Sequence, residues 1–319
     1  MSMIFIHILV ALTLTYSTLT LADNAILGAP EWSTPARGVA IENPNFDPNL
    51  KQTVAGSSLQ YSQVEIDNKF SAPDWFPEKH DPMPNVVQFG KKPKVWACAS
   101  CHLASGQGHP ESSTLAGLSE TYMVQQLKAF ASGQRVDYSG HMNRMATLLT
   151  EEEMQEVSKW FASLTPTSFI TVKEVAKVPK TYVDETRMRQ IDLVNKAEEP
   201  IRNRIIEVPQ DKGEIHKRAP YGEFIIYVPI GSIKRGEALV KTGNGKTIPC
   251  ASCHGADLSG STIGPAIAGN FGIYTVRQLH GFKGGTRASS QSVMMAPVVA
   301  SLSDEDIVDI AAYLSSVSL

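Results

Sequence analysis

The sequence predicts an all-α fold: two small helical domains in tandem, with an N-terminal arm and a long irregular interdomain connection. Three observations predict it. An offset of 152 residues carries Cys98-Ala-Ser-Cys101-His102 onto Cys250-Ala-Ser-Cys253-His254, Leu115-Ala-Gly117 onto Ile267-Ala-Gly269 and Tyr122 onto Tyr274, the mark of an internal duplication. Each copy ends in a capped run with apolar residues at helical spacing. The stretches outside the copies are interrupted by proline and glycine too often for long helices. With 319 residues, the chain has room for two ordinary domains and joining material.

Residues 1–22 read as an export signal, since Ile4 to Leu21 is almost wholly apolar and Thr20-Leu21-Ala22 precedes Asp23 as a small-residue cleavage site. No Lys or Arg stands before Ile4, and the apolar run is long enough that an uncleaved membrane anchor is the alternative. Residues 23–81, rich in Pro, Asn and Gly and ending in Ala72-Pro-Asp-Trp-Phe-Pro77, read as an extended arm lying on the first domain, 82–165. In that domain Thr150-x-x-Glu153 is a capping box, followed by Met154, Val157, Phe161 and Leu164 on one helix face. Residues 166–229 hold prolines at 166, 179, 200, 209, 220 and 229. They are expected to form a strap across both domains, with Phe224-Ile-Ile-Tyr-Val228 as a candidate strand. In the second domain, 230–319, Ser303-x-x-Asp306 repeats the capping box ahead of Ile307, Ile310, Leu314 and Val317. There Gly236, with Leu239, would allow a close helix crossing at Tyr313.

Composition excludes several classes of function. Hydrophobic residues make up 42% and charged residues 19%, which excludes wholesale disorder. A net charge of −3 without a long basic run excludes nucleic acid as a partner, and leaves membrane contact only to an uncleaved N-terminal segment.

The chemistry lies in the repeated Cys-x-x-Cys-His. Two thiols at that spacing form thioether bonds to a porphyrin, and the following histidine is then placed beneath the iron. The motifs use all 4 cysteines of the chain, so Cys98, Cys101, Cys250 and Cys253 are the expected attachment points of two covalent haem c groups. His102 and His254 are the expected axial ligands. A four-thiolate zinc site, a thioredoxin-like pair and simple disulfides are the alternatives, and none of them needs the histidines. For the sixth ligand, Met142 and Met295 each lie eight positions before the helix cap, and thioether is the usual partner of histidine in electron-transfer haems. Met294, Met145 and His141 are their rivals. Gly264-Pro265 is placed to present a carbonyl to the outer nitrogen of His254. The first half has Ser113 in place of the proline, with Pro110 nearby. Arg135 and Arg287, at matching positions, are candidate partners of haem propionates. His80, His109, His216 and His280 are expected to be surface or hydrogen-bonded residues rather than ligands.

Taken together, the two Cys-Ala-Ser-Cys-His motifs, Gly264-Pro265, Tyr274-x-x-x-Gln278-Leu279-x-x-Phe282-x-x-Gly285-x-Arg287, Met295 and Leu302-Ser-Asp-Glu-Asp-Ile307 resemble a class I cytochrome c domain. The whole chain resembles the tandem dihaem cytochromes of the cytochrome c4 type. The resemblance covers roughly 82–165 and 230–319, and the arm and connection depart from it. It implies a small all-helical fold around each haem and His/Met ligation. It further implies a periplasmic carrier passing electrons from a redox protein donor such as a dehydrogenase to an acceptor such as a terminal oxidase or another cytochrome. Two kinds of rival stand beside this reading, an enzyme of either of two types and a fixed subunit. A dihaem peroxidase-like enzyme needs an iron with an open position, whereas both halves offer a methionine. A dihaem thiosulfate dehydrogenase would need a fifth cysteine as ligand. The remaining alternative is an electron-transfer subunit fixed to one dehydrogenase.

Overall fold

The computed structural model describes residues 28–36, 38 and 47–318. The expected export signal, 1–22, lies outside these residues, as does part of the arm. Among the described residues no helix is long and apolar enough to cross a membrane.

Both repeats fold into short helices around a motif turn. The first contains helices Ala99–His102, Glu120–Ala131, His141–Ala146 and Glu151–Ala162, packed on a core that includes Val87, Met123, Val157, Trp160 and Phe161. The second contains Ser232–Thr242, Ala251–His254, Gly272–Lys283, Met295–Val299 and Asp304–Ser316, around Leu239, Val240, Val276, Ile307, Ile310 and Leu314. The caps of both final helices form as full boxes: Thr150 accepts from the Glu153 amide and Ser303 from the Asp306 amide, each answered by the acid's own carboxylate. Reciprocal bonds of this kind satisfy two amides that a helix start otherwise leaves unpaired.

The repeats differ at their entrances. In the second, helix Ser232–Thr242 crosses the final helix so closely that a Cβ on Gly236 would stand 1.9 Å from the Asp309 carbonyl oxygen and 2.8 Å from Tyr313 Cβ. Arg235 then clamps the Asp309 carboxylate with two bonds of 2.7 and 2.9 Å. The first repeat keeps only a single turn of that helix, Asn85–Gln88, and the arm takes the place of the rest. Trp160, the counterpart of Tyr313, donates its indole N–H to the Asp81 carbonyl at 3.0 Å and meets the His80 ring edge-on.

The expected all-α fold is wrong for the molecule as a whole, which is mixed: helical repeats joined by a connection built of small sheets. Strand Phe224–Pro229 runs parallel to Ile170–Val175 on one side and antiparallel to Ile206–Pro209 on the other. Two further ladders pair Lys177–Pro179 with Glu198–Pro200 and Thr181–Val183 with Arg189–Ile191. The cause is backbone satisfaction. A proline-broken segment cannot form helix, yet where it is buried its amides and carbonyls must find partners, and short ladders supply them. Period-two alternation does the rest. Ile226 and Val228 enter the core of the second repeat, while Ile225 and Tyr227 lie on a separate cluster with Val178, Ile206 and Val208.

The connection also binds to both repeats. Arg218 donates to the Ser100 carbonyl at 2.5 Å and Gln107 donates to the Gly222 carbonyl at 2.6 Å, both on the first repeat. On the second, the Glu207 carboxylate accepts the Gly272 amide at 2.6 Å and so caps helix Gly272–Lys283 from outside, its own N-cap residue Phe271 having no side chain that can do so. Burial raises the Glu207 carboxyl to about 8. The arm is tied in turn to the connection, with Trp75 donating to the Lys217 carbonyl at 3.0 Å and Val54, Ile66, Trp75 and Phe76 packing with Ala219.

Two expectations follow. Gly236→Ala overpacks the crossing and is expected to cost about 1–3 kcal/mol, seen as a lower melting temperature; an unchanged melt would place the helices farther apart than described. Glu207 titrates near the ordinary carboxylate value of about 4.3 when unfolded and near 8 when folded. The folded state therefore holds this proton more tightly, and the associated stability, complete below the unfolded value, is lost as pH rises through 8. Glu207→Gln should flatten the fall in melting temperature between pH 5 and 9, whereas parallel curves would contradict the burial of this carboxyl.

Candidate haem sites

Each motif is one helical turn. Cys98 begins helix Ala99–His102, and the His102 amide donates to the Cys98 carbonyl at 3.0 Å; His254 and Cys250 repeat the bond at the same distance. A turn of this kind carries cysteines three apart to neighbouring positions on one face and sets the histidine one residue further on. The four thiols are free of disulfides. Burial pushes the Cys98 thiol up to about 12 and that of Cys250 up to about 11, the reverse of what a reactive thiolate pair needs. The two pairs belong to separate repeats. Among the described residues no group of three or more His, Cys, Asp or Glu side chains converges to hold a bare metal ion.

Both histidines are buried, at 8% and 9% exposure, and each has one ring nitrogen committed. His102 Nδ1 lies 2.9 Å from the Ser113 carbonyl oxygen, and His254 Nδ1 lies 2.7 Å from that of Pro265. A carbonyl only accepts, so Nδ1 carries the proton and Nε2 keeps its lone pair, the tautomer an iron ligand requires. Burial also holds both imidazoles below their ordinary pKa, and so neutral. In the second repeat a Cβ on Gly264 would stand 2.9 Å from His254 Nδ1, so glycine is what lets the backbone come this close. In the first repeat Ser113 provides the carbonyl itself, with no proline at that position. Pro110, the candidate substitute, instead accepts from Arg277 at 2.5 Å.

A cavity of about 990 Å³ opens beside the first motif, lined by Cys98, Cys101, His102, Met123, Phe130 and Met142 among others. Its size and apolar lining fit a porphyrin. Met142, Met145 and His141 all face it, with different commitments. The Met145 sulfur accepts the Trp96 amide at 3.3 Å. His141 lies against the Trp96 ring, 4.5 Å between centroids, and contacts Arg144 at 3.3 Å. Met142 has only its amide engaged, by the Asp137 carboxylate at 3.2 Å. In the second repeat Met295 starts its helix and packs on the core, while Met294 is 60% exposed.

Arg135 and Arg287 meet at the contact between the repeats, joined by a backbone bridge, and each reaches across it. Arg135 donates to Gln126 of its own repeat at 2.8 Å and to Tyr274 and Gln278 of the other at 3.0 and 2.8 Å. Arg287 donates to Gln278 at 3.1 Å and across to Tyr122 and Gln126 at 2.7 and 3.1 Å. The acceptors are all neutral. Both guanidinium groups are buried, Arg287 Nε has no partner, and the nearness of Arg135 helps burial to push the Arg287 pKa down. Two adjacent buried cations bonded only to neutral groups are costly, and the carboxylates of a porphyrin are the anions this chemistry fits.

A second buried cluster could not be foreseen from the residues that form it. Arg277 of the second repeat pairs with Glu111 of the first at 3.1 Å, donates to the Ser33 carbonyl of the arm at 2.8 Å, and lies over the Tyr138 ring at 4.7 Å. Tyr138 donates to the same Glu111 carboxylate. The only available signal was a break in the repeat, since the 152-residue offset pairs Glu111 with apolar Ile263.

The pattern of the family described as cytochrome c matches residues 87–165 and 233–318, together more than half of the chain. Cytochrome c-554(548) of Halomonas halodenitrificans is 39% identical over 75 residues, 23% of this chain and 90% of that protein. Cytochrome c4 of Pseudomonas aeruginosa is 37% identical over 75 residues, 23% of this chain and 36% of that protein. A protein of Thiomonas intermedia named thiosulfate dehydrogenase electron acceptor is 25% identical over 232 residues, 70% of this chain and 80% of that one. Among solved structures, reduced cytochrome c4 from Pseudomonas stutzeri is 20% identical, covering 69% of this chain and 93% of that chain at a TM-score of 0.45. Two matching spans, each containing a Cys-x-x-Cys-His turn with its histidine buried, carry the conclusion: the chain belongs to the cytochrome c family, as an electron-transfer protein with two covalently bound haem c groups.

Proposed function

We propose that this chain is an exported, periplasmic carrier rather than an enzyme, taking electrons from a dehydrogenase and passing them to a respiratory acceptor. The observation that carries the reading is the matched pair of histidines, each neutral, each held through Nδ1 by a carbonyl in an equivalent turn. Cys98, Cys101, Cys250 and Cys253 form the thioethers. His102 and His254 would hold each iron through an imidazole nitrogen, and Met142 and Met295 through a thioether sulfur. The relative named as an electron acceptor of thiosulfate dehydrogenase supports a dehydrogenase as donor.

The haem iron supplies one-electron chemistry at each centre. The protein's part is to fix ligand geometry and local charge. The carbonyls of Ser113 and Pro265 orient the imidazoles and raise their basicity as ligands. The Trp96 amide and ring engage Met145 and His141, which leaves the Met142 thioether the least committed of the three. Arg135 and Arg287 supply the positive charge that binds propionates where the repeats meet.

The test is a spectrum and redox titration of the purified holoprotein. Two low-spin haems inert to peroxide are expected; a high-spin haem that reacts with peroxide would mean catalysis. Met142→His and Met295→His should each lower one midpoint potential by on the order of 0.1 V, within the roughly 0.8 V range that axial ligands span. A variant with both potentials unchanged would remove that methionine from the ligand set.

A further inference from the structure

The duplication allows each haem site to be compared with its twin, and the two differ in what covers them. In the first motif Ser100 is buried, its carbonyl taken by Arg218 of the connection. Its counterpart Ser252, in an identical Cys-Ala-Ser-Cys-His turn, is exposed. The contrast extends around the rim. Trp96, two residues before Cys98, is covered by Lys69 of the arm, whose ammonium lies 4.3 Å from the ring centroid. The equivalent Ile248 is 49% exposed. Glu111 is buried under Arg277, with a side chain 7% exposed, while the equivalent Ile263 is 63% exposed. Beside Met295, Val293 and Met294 are 66% and 60% exposed.

The open rim is also poor in charge, with the exposed Asp257 the one charged residue between its first two segments other than His254. Residues 247–253, 258–276 and 288–303 contain no Asp, Glu, Lys, Arg or His, and the flanking Lys246 is paired with Asp306 at 2.7 Å. These segments carry the attachment turn, the support of His254 and Met295, so Ile248, Ile263, Val293 and Met294 border the second haem site from several sides. The corresponding stretch of the first repeat, 136–150, contains Asp137, His141 and Arg144. Exposed apolar residues grouped at a functional site mark an interaction surface. With little charge to steer an encounter, such a surface selects a partner of its own kind.

We infer that the protein exchanges electrons with redox proteins only through this second-haem face, docking a partner whose own redox centre is ringed by uncharged, apolar residues. The first haem, roofed by arm and connection, fills and empties through the second. The proposal rests on the carrier reading and adds to it a single port and the chemistry of the partner.

The test uses the full-length holoprotein and two probes: a blue-copper protein with an uncharged apolar rim around its metal, and a cytochrome with a lysine-ringed haem edge. Stopped-flow mixing with the reduced copper protein should give a concentration-dependent step followed by a concentration-independent one, nearly insensitive to salt. Ile263→Lys combined with Val293→Lys should slow the first step at least about tenfold, with both midpoint potentials unchanged in an equilibrium titration. Lys94→Glu, on the exposed surface of the first repeat, should leave the rate as it was. Four results would overturn the proposal: two independent concentration-dependent steps, an unchanged rate in the double variant, an equal loss in Lys94→Glu, or preferred reaction with the lysine-ringed cytochrome. A dimer in sedimentation that Ile263→Lys dissociates would also overturn it, by assigning the face to a second copy. Failure of the carrier reading is separate, appearing as wild-type haems that do not titrate reversibly.

Discussion

Each motif histidine gives its Nδ1 proton to a backbone carbonyl eleven residues further on, and the rest of both sites is organised around keeping that bond. The bond fixes tautomer and ring direction together, leaving Nε2 with the free lone pair that a ligand to iron would need. The motif turn brings the imidazole to the right place relative to the thiols, and the loop after it must then return close enough to offer an oxygen. Glycine at 264 permits that return in the second repeat, where a side chain would strike the ring. In the first repeat a serine carbonyl does the same work at nearly the same distance, because the acceptor is main chain and the side chain at that position is free to vary.

The contact between repeats is a second constraint, made by matched residues. Tyr122, Gln126 and Arg135 of one repeat bond with Tyr274, Gln278 and Arg287 of the other, each arginine crossing over. Duplicated surfaces related by an approximate two-fold meet in this self-complementary way. Around this contact the arrangement is unequal. The Glu111–Arg277 pair, the arm carbonyl of Ser33 and the connection's Arg218 all lie toward the first haem site. The material that makes this chain longer than two helical repeats thus encloses one site and leaves its twin open.

Much of the local chemistry was legible in the sequence. The motif turns, both capping boxes, the close approach at Gly236 and the carbonyl expected from Gly264-Pro265 each depend on residues near one another in the chain or on a repeat that displays them twice. The strand expected at 224–228 was visible for the same reason, as a run of β-branched and aromatic residues, and it forms one residue longer, over Phe224–Pro229. The small ladders were not. Segments as short as Thr181–Val183 and Arg189–Ile191 have no periodicity to read, and they exist because a buried connection must pair its backbone. That is why an all-α expectation failed between two helical repeats. The arginines stood out as a matched pair, but the sequence could not show that each would bond across to the opposite repeat, and Glu111 and Arg277 find each other only once the repeats are docked.

The central claim is that two iron porphyrins are bonded covalently to the cysteines of the two motif turns. It is tested most directly by intact mass analysis of denatured protein from a host that matures c-type cytochromes, beside Cys98→Ser/Cys101→Ser and Cys250→Ser/Cys253→Ser variants. The expected result is a mass gain of two haems for the native chain and of one for each variant. A native chain that loses all porphyrin on denaturation, or a variant that still retains both haems, would contradict it.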